Sequence, residues 1–228
     1  MNKVSAEIAN ASRTMKSRFH ILGLVLFHAA HLCAQSGRPP VPRPKPAHNQ
    51  WSFVASGYGS IVPNDQSYFT PMFTADRRWL HLEARYNYED QQTASLWAGY
   101  NWRVGDKLLL EVTPMFGVVF GNTTAVAPGY EVSLTWKRFN LSTQGEYIDN
   151  TNDRTGNFFY SWNDLVYSPT DWFHAGLAMQ HTRAYQSPVD LQPGASVGFT
   201  RGRWDFTTYV FNVGLDQPTV VLGLAYSF

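Results

Sequence analysis

From residue 79 to the C-terminus the chain repeats one pattern, in which apolar and polar residues alternate with a period of two. In residues 79–88, Leu80, Leu82, Ala84, Tyr86 and Tyr88 share one face, while His81, Glu83, Arg85 and Asn87 share the other. Residues 130–137 set Tyr130, Val132, Leu134 and Trp136 against Glu131, Ser133, Thr135 and Lys137. The last stretch sets Val220, Leu222, Leu224, Tyr226 and Phe228 against Val221, Gly223, Ala225 and Ser227. A period of two is the signature of a strand with one apolar face, and no segment is left over to form helices that would cover such a sheet. Two architectures remain: a soluble sandwich with an apolar core, or a barrel that turns its apolar face to lipid.

Composition separates them. Charged residues make up only 15% of the 228, against about a quarter in a typical soluble domain. Aromatics also make up 15%, and of the 35 only Phe19 and Phe27 precede Trp51. Mean hydropathy is nonetheless negative, at -0.29, which argues against a helical membrane bundle. Many aromatics, few charges and modest hydropathy fit strands that alternate between lipid and a polar lumen. The aromatics also gather near expected strand ends (Tyr86, Tyr88, Trp102, Trp136, Tyr167, Trp172, Trp204, Tyr226), where a membrane barrel carries its interfacial girdles.

Turn signals then count the strands. Short connections at 76–78, 104–106, 137–140, 168–171 and 201–203 alternate with longer or more polar ones at 62–66, 88–93, 121–129, 146–157, 184–190 and 215–218. The expected fold is therefore all-β: a single closed antiparallel transmembrane barrel of about twelve strands, with short periplasmic turns and longer outer loops. The first hairpin alternates poorly around Pro71, so a ten-strand barrel is the fallback; Pro114 is expected to mark a bulge. Basic residues (Arg77, Arg78, Lys107, Lys137, Arg138, Arg201, Arg203) lie at the short turns. Acidic ones (Asp65, Glu89, Asp90, Asp149, Asp153, Asp190, Asp216) lie on the long side. In this pattern, and in the closing Tyr226-Ser227-Phe228, the chain resembles small bacterial outer-membrane β-barrel proteins. The resemblance implies Tyr226 and Phe228 as a C-terminal assembly signal, and outer-membrane lipids and the assembly machinery as partners.

The front of the chain reads as targeting. Residues 1–34 hold a basic start, the apolar run ILGLVLFHAA and a small residue, Ala34, at a plausible cleavage point, with Met15 as a candidate true start. The run is too short to anchor in a bilayer. Residues 35–50 form a basic proline-rich linker, leaving the barrel to 51–228. Cys33, the one cysteine, falls in the leader; disulfides, thiolate catalysis and cysteine-bound zinc are thereby removed from the barrel. Residues 51–228 carry 16 acidic against 11 basic residues, so the footprint of a nucleic-acid-binding protein is absent.

Any chemistry lies in the lumen. Alternation points His81, Glu83, Arg85, Arg103, Glu111, Glu131, Glu146 and His174 inward. Several carboxylates in a narrow space cannot all ionise cheaply without cations. Arg85 and Arg103 supply two, and Lys137, Arg154 or a bound metal ion are candidates for a third. The function expected is non-enzymatic: a narrow gated channel, or a structural barrel closed by this charged network, with no cofactor and no metal centre. The alternatives are a lipid- or envelope-modifying enzyme using His174 or His81, with Ser133 and Ser161 as inward serines, and a surface ligand-binding barrel using the long loops. A metal site on His81, Glu83 and His174 would draw on distant strands. In the aromatic-rich stretch 157–185, Asp164 shares the alternate set of Tyr160, Trp162 and Val166, which the reading turns toward lipid unless a bulge intervenes. The sequence leaves the oligomeric state open.

Overall fold

The computed structural model describes residues 50–62, 66–184, 190–215 and 218–228. The proposed leader 1–34, all of the linker except Gln50, and Asp65 and Asp216 lie outside the described residues. Strands run β1 Ser52–Ile61, β2 Tyr68–Arg77, β3 Leu80–Tyr86, β4 Thr93–Tyr100, β5 Trp102–Val104, β6 Leu108–Gly121 and β7 Ala125–Trp136. They continue with β8 Phe139–Asn150, β9 Phe158–Tyr167, β10 Phe173–Ala184, β11 Asp190–Arg201, β12 Trp204–Phe211 and β13 Thr219–Ser227. All pairings are antiparallel. β13 returns to β1 and β4 pairs with β6, so the sheet closes on itself and leaves no long edge.

Proline explains why thirteen segments make a twelve-strand barrel. Gly99 pairs with Met115 and Trp102 with Val112 in one unbroken register, so β5 is the continuation of β4. The interruption falls opposite Pro114, which has no N–H to give to the ladder. The bulge expected at Pro114 is therefore absent: no residue is inserted there. Pro128 acts in the same way, since β7 and β8 unpair at Ala127 and Pro128 and resume in the same register. The first hairpin forms despite Pro71, which pairs opposite Gly57; a Cβ on Gly57 would stand 2.5 Å from the Phe69 ring. Twelve strands are present, and the ten-strand fallback is set aside.

Followed strand by strand, the registers close with an offset of about 14 residues, corresponding to a tilt of about 40° and a backbone about 11 Å from the axis. A ten-residue strand so tilted rises about 25 Å, the height of a membrane barrel's apolar band. The outward set is apolar and exposed around the circumference, including Leu82, Leu96, Phe116, Leu141, Leu165, Leu177, Val197, Phe206 and Leu222. A continuous belt of this kind suits lipid and not water. At the end where the chain enters and leaves the barrel, here the terminal end, aromatics pack between neighbouring strands: Trp79 stacks on Tyr100 and Phe228 on Phe53 across the seam, while Phe139 meets Tyr167 and Trp204 meets Tyr226 tilted. Tyr226 and Phe228 face outward, and Phe228 exchanges both backbone hydrogen bonds with Phe53.

The inward face changes character along the axis. Toward the terminal end, Glu131, Ser133, Thr135, Ser142 and Gln144 are only partly buried and line a vestibule. Toward the opposite, distal end, Tyr58, Trp97, Val119, Ile148, Tyr160, Trp162, Tyr209 and Phe211 are each at most 2% exposed and form one apolar cluster. Inward glycines make room for it. The Trp97 indole lies where a Cβ on Gly117 would come within 2.5 Å, and Phe211 lies equally close over Gly194.

Candidate functional site

β3 carries the centre of the site. His81, Glu83 and Arg85 alternate inward from it and are 3%, 6% and 4% exposed. Arg85 Nε donates to Glu83 Oε2 at 2.6 Å, and Arg85 Nη1 reaches Glu146 Oε2 at 2.8 Å. Glu146 stands on β8, four strands away around the barrel, so this contact crosses the lumen. Nη1 also lies 3.8 Å from Glu89 Oε1. The guanidinium sits 4.4 Å from the centres of both the Tyr88 and Trp97 rings, a cation held between two aromatic faces.

Tyr88 and Glu89 are the residues that alternation misplaces. It expects Tyr88 on the outer face and Glu89 on an acidic rim. Both are instead buried inside the barrel, at 2% and 1% exposure. The cause is local: β3 ends at Tyr86, and Asn87 takes a φ of 54°, a left-handed turn that asparagine tolerates better than most residues. The connection 87–92 then folds inward. Asn87 anchors it by accepting from Gln92 N at Oδ1 and donating through Nδ2 to Phe69 O, while Thr123 donates to Asp90 Oδ2 at 2.8 Å. From this position Tyr88 meets Tyr160 edge-on at 6.5 Å and accepts from Gln144 Nε2 at 3.1 Å. Tyr88 thus bridges the Arg85–Trp97 side of the barrel to the Tyr160–Trp162–Tyr209 side. Glu89 Oε1 accepts from Ser95 Oγ at 2.5 Å and from Trp97 Nε1 at 3.2 Å.

The network is short of donors. Glu89 Oε2 and Glu146 Oε1 are buried without a hydrogen-bond partner. Glu89 lies beyond the end of β3, and burial pushes its carboxyl above the usual range while the Arg85 charge opposes that rise. A polar cluster left partly unsatisfied is one that water would relieve.

The remaining expected site residues divide. Glu131 lies beside His81 and Glu83, with one ligand atom of each residue within 4.8 Å of the others. His81 Nδ1 donates to Asp76 Oδ1 at 2.8 Å, and the same oxygen accepts from Asn101 Nδ2. Glu111 does not join the Arg85 network: it pairs with Arg103 at 3.7 Å, where both are partly exposed near the terminal end. His174 also stands apart, with Nε2 3.1 Å from Thr207 Oγ1, which donates to Asp205. Ser133 accepts from Asn140, and Ser161 faces outward, contrary to expectation. Among the described residues no serine hydroxyl is hydrogen-bonded to His81 or His174. Asp164 is a further correction. The set Tyr160, Trp162, Asp164 and Val166 faces the lumen with no bulge, and Trp162 Nε1 donates to Asp164 Oδ2 at 2.8 Å.

No protein-family model matches the chain, and no curated protein matches it. Solved structures do match. The chain is similar in fold to the KdgM porin, with a TM-score of 0.59 and 11% identity over 77% of this chain and 99% of that one. A second structure, the KdgM porin in complex with disordered oligogalacturonate, matches with a TM-score of 0.55 and 13% identity over the same shares. The Acinetobacter baumannii outer membrane protein Omp33 matches at 0.45 and 10%, over 79% of this chain and all of that one. The fold is that of the outer-membrane β-barrels.

Proposed function

We propose that this protein is a non-enzymatic channel of the bacterial outer membrane, exported by its leader, with the terminal end in the periplasm and the 87–92 connection acting as the gate. The observation that carries this reading is how the lumen is closed. Most side chains that fill the distal half stand on strands, but Tyr88 and Glu89 belong to a connection, not to the barrel wall, and they can be withdrawn without breaking a strand. No protein donor reaches Glu89 Oε2 or Glu146 Oε1 in the closed arrangement, and a hydrated, opened lumen would satisfy both.

The lumen favours cations. Asp76, Glu83, Glu111, Glu131, Glu146, Asp164, Asp190 and Asp205 point inward from the strands, against Arg85 and Arg103 among the basic strand residues. A wall with this balance concentrates cations and repels polyanions, so the oligogalacturonate bound by the KdgM porin is a poor match for this interior. Tyr88→Ala removes the bridging ring while leaving every strand intact. In a planar bilayer it is expected to conduct, with a reversal potential in a KCl gradient that shows preference for K⁺. A variant that never conducts, while keeping its heat-modifiable gel mobility, would make the barrel a structural plug and overturn the channel reading.

A further inference from the structure

We infer that His81, Glu83 and Glu131 form a binding site for one divalent transition-metal ion of the Zn²⁺ class, at the boundary between vestibule and gate. The sequence points to no metal centre; the barrel register creates this one by setting β3 against β7 across a lumen too narrow to keep the three side chains apart.

Four observations support the site. The donor set is one imidazole and two carboxylates, with ligand atoms all within 4.8 Å of one another. Bonds of about 2.1 Å put tetrahedral ligand atoms about 3.4 Å apart, so a small rotation of the partly buried Glu131 completes the geometry. Second, His81 Nε2 is buried with no hydrogen-bond partner, and its one ion-pair contact, Glu83 Oε1 at 3.2 Å, is itself a member of the donor set. This nitrogen is aimed at the two carboxylates from a residue only 3% exposed. Third, the other ring nitrogen is already fixed. Nδ1–H is held by Asp76, itself held by Asn101, the outer carboxylate arrangement that sets the tautomer of a metal-binding histidine and leaves Nε2 free to coordinate. Fourth, Glu131 opens onto the vestibule, which supplies a route for a hydrated ion.

The imidazole decides the class of ion. Ca²⁺ and Mg²⁺ prefer all-oxygen sites, whereas one nitrogen with carboxylates suits Zn²⁺ and its neighbours, with water completing the coordination. Glu83 serves both assemblies, because Oε1 faces the metal position while Oε2 accepts from Arg85. The inference does not rest on channel activity, and an equilibrium binding measurement tests it alone.

The test is calorimetric titration of Zn²⁺ into the purified full chain, with Co²⁺ absorption as a second readout. Wild type is expected to bind at micromolar concentration or tighter. Binding should weaken at least tenfold in His81→Gln and in Glu131→Gln, and stay unchanged in His174→Gln, whose imidazole is engaged elsewhere. Asp76→Asn is expected to weaken binding about tenfold through loss of the orienting carboxylate. If His81→Gln loses its heat-modifiable mobility, Glu131→Gln decides, since its side chain is partly exposed. Absence of Zn²⁺ binding by wild type at about 100 µM, or affinity undiminished in the variants that fold, would overturn the site.

Discussion

Replacing Arg85 by alanine is the sharpest perturbation of the closed lumen. It removes one guanidinium that Glu83, Glu89 and Glu146 share, together with its stacking between Tyr88 and Trp97. Breaking a buried ion pair by removing one partner costs about 3–5 kcal/mol, because the remaining charges stay desolvated. The two aromatic contacts add about 1–2 kcal/mol together. The closed arrangement bears this cost and an opened, hydrated one does not, so even about 3 kcal/mol shifts the open-to-closed ratio by more than a hundredfold. Single-channel recording in planar bilayers is the assay. Wild type should open rarely, whereas Arg85→Ala should conduct most of the time with stronger preference for cations. Arg85→Met, which keeps bulk and removes charge, should behave like Arg85→Ala if electrostatics dominates. If both variants remain silent and melt at the wild-type temperature, the claim that Arg85 holds the lumen closed is wrong.

Asp164→Leu separates the observed inward placement from the lipid-facing one suggested by the sequence. Trp162 Nε1 would lose its acceptor, costing about 1–3 kcal/mol; a fall in the midpoint of heat-modifiable mobility is expected, while a rise would place residue 164 against lipid. Acidification should tighten closure. Glu89 has its carboxyl pushed upward by burial, so the closed state binds the extra proton; its favourable contribution is complete below the ordinary value of 4.5 and is lost as pH rises through the elevated one. The open probability of wild type, followed from pH 7 down to 4, should therefore fall, and in Glu89→Gln this dependence should flatten.

The barrel was legible because a period of two survives any tertiary context that closes a sheet. Each inward residue of β3, from His81 to Arg85, follows from parity alone. What parity cannot reach is the point where a strand stops. Extending β3 through Asn87 puts Tyr88 on lipid and Glu89 in solvent; ending it at Tyr86 turns both into the lumen. The residues that forecast this end were in view, since Asn87 favours left-handed backbone and Glu-Asp-Gln follows it, but their inward course depends on Arg85 and Trp97 receiving them. The set containing Asp164 was misdirected for a related reason. Tyr160 and Trp162 look lipid-facing by composition, yet a closed barrel of this radius needs large rings inside to fill it. A proline in a strand does not by itself make a bulge: at Pro114 the missing amide removes a hydrogen bond without inserting a residue.

The division of the lumen into an open vestibule and a shut distal half can be measured with single cysteines introduced into the barrel, since residues 51–228 contain none. Cysteine introduced at Ser133, partly buried in the vestibule, should react rapidly with a small water-soluble thiol reagent. Cysteine at Thr93, fully buried beside the gate, should stay unreactive in the wild-type barrel and become reactive when Arg85→Ala is added. Equal, rapid labelling of both positions without the Arg85 substitution would show a continuous aqueous pore and contradict a gate formed by Arg85, Tyr88 and Glu89.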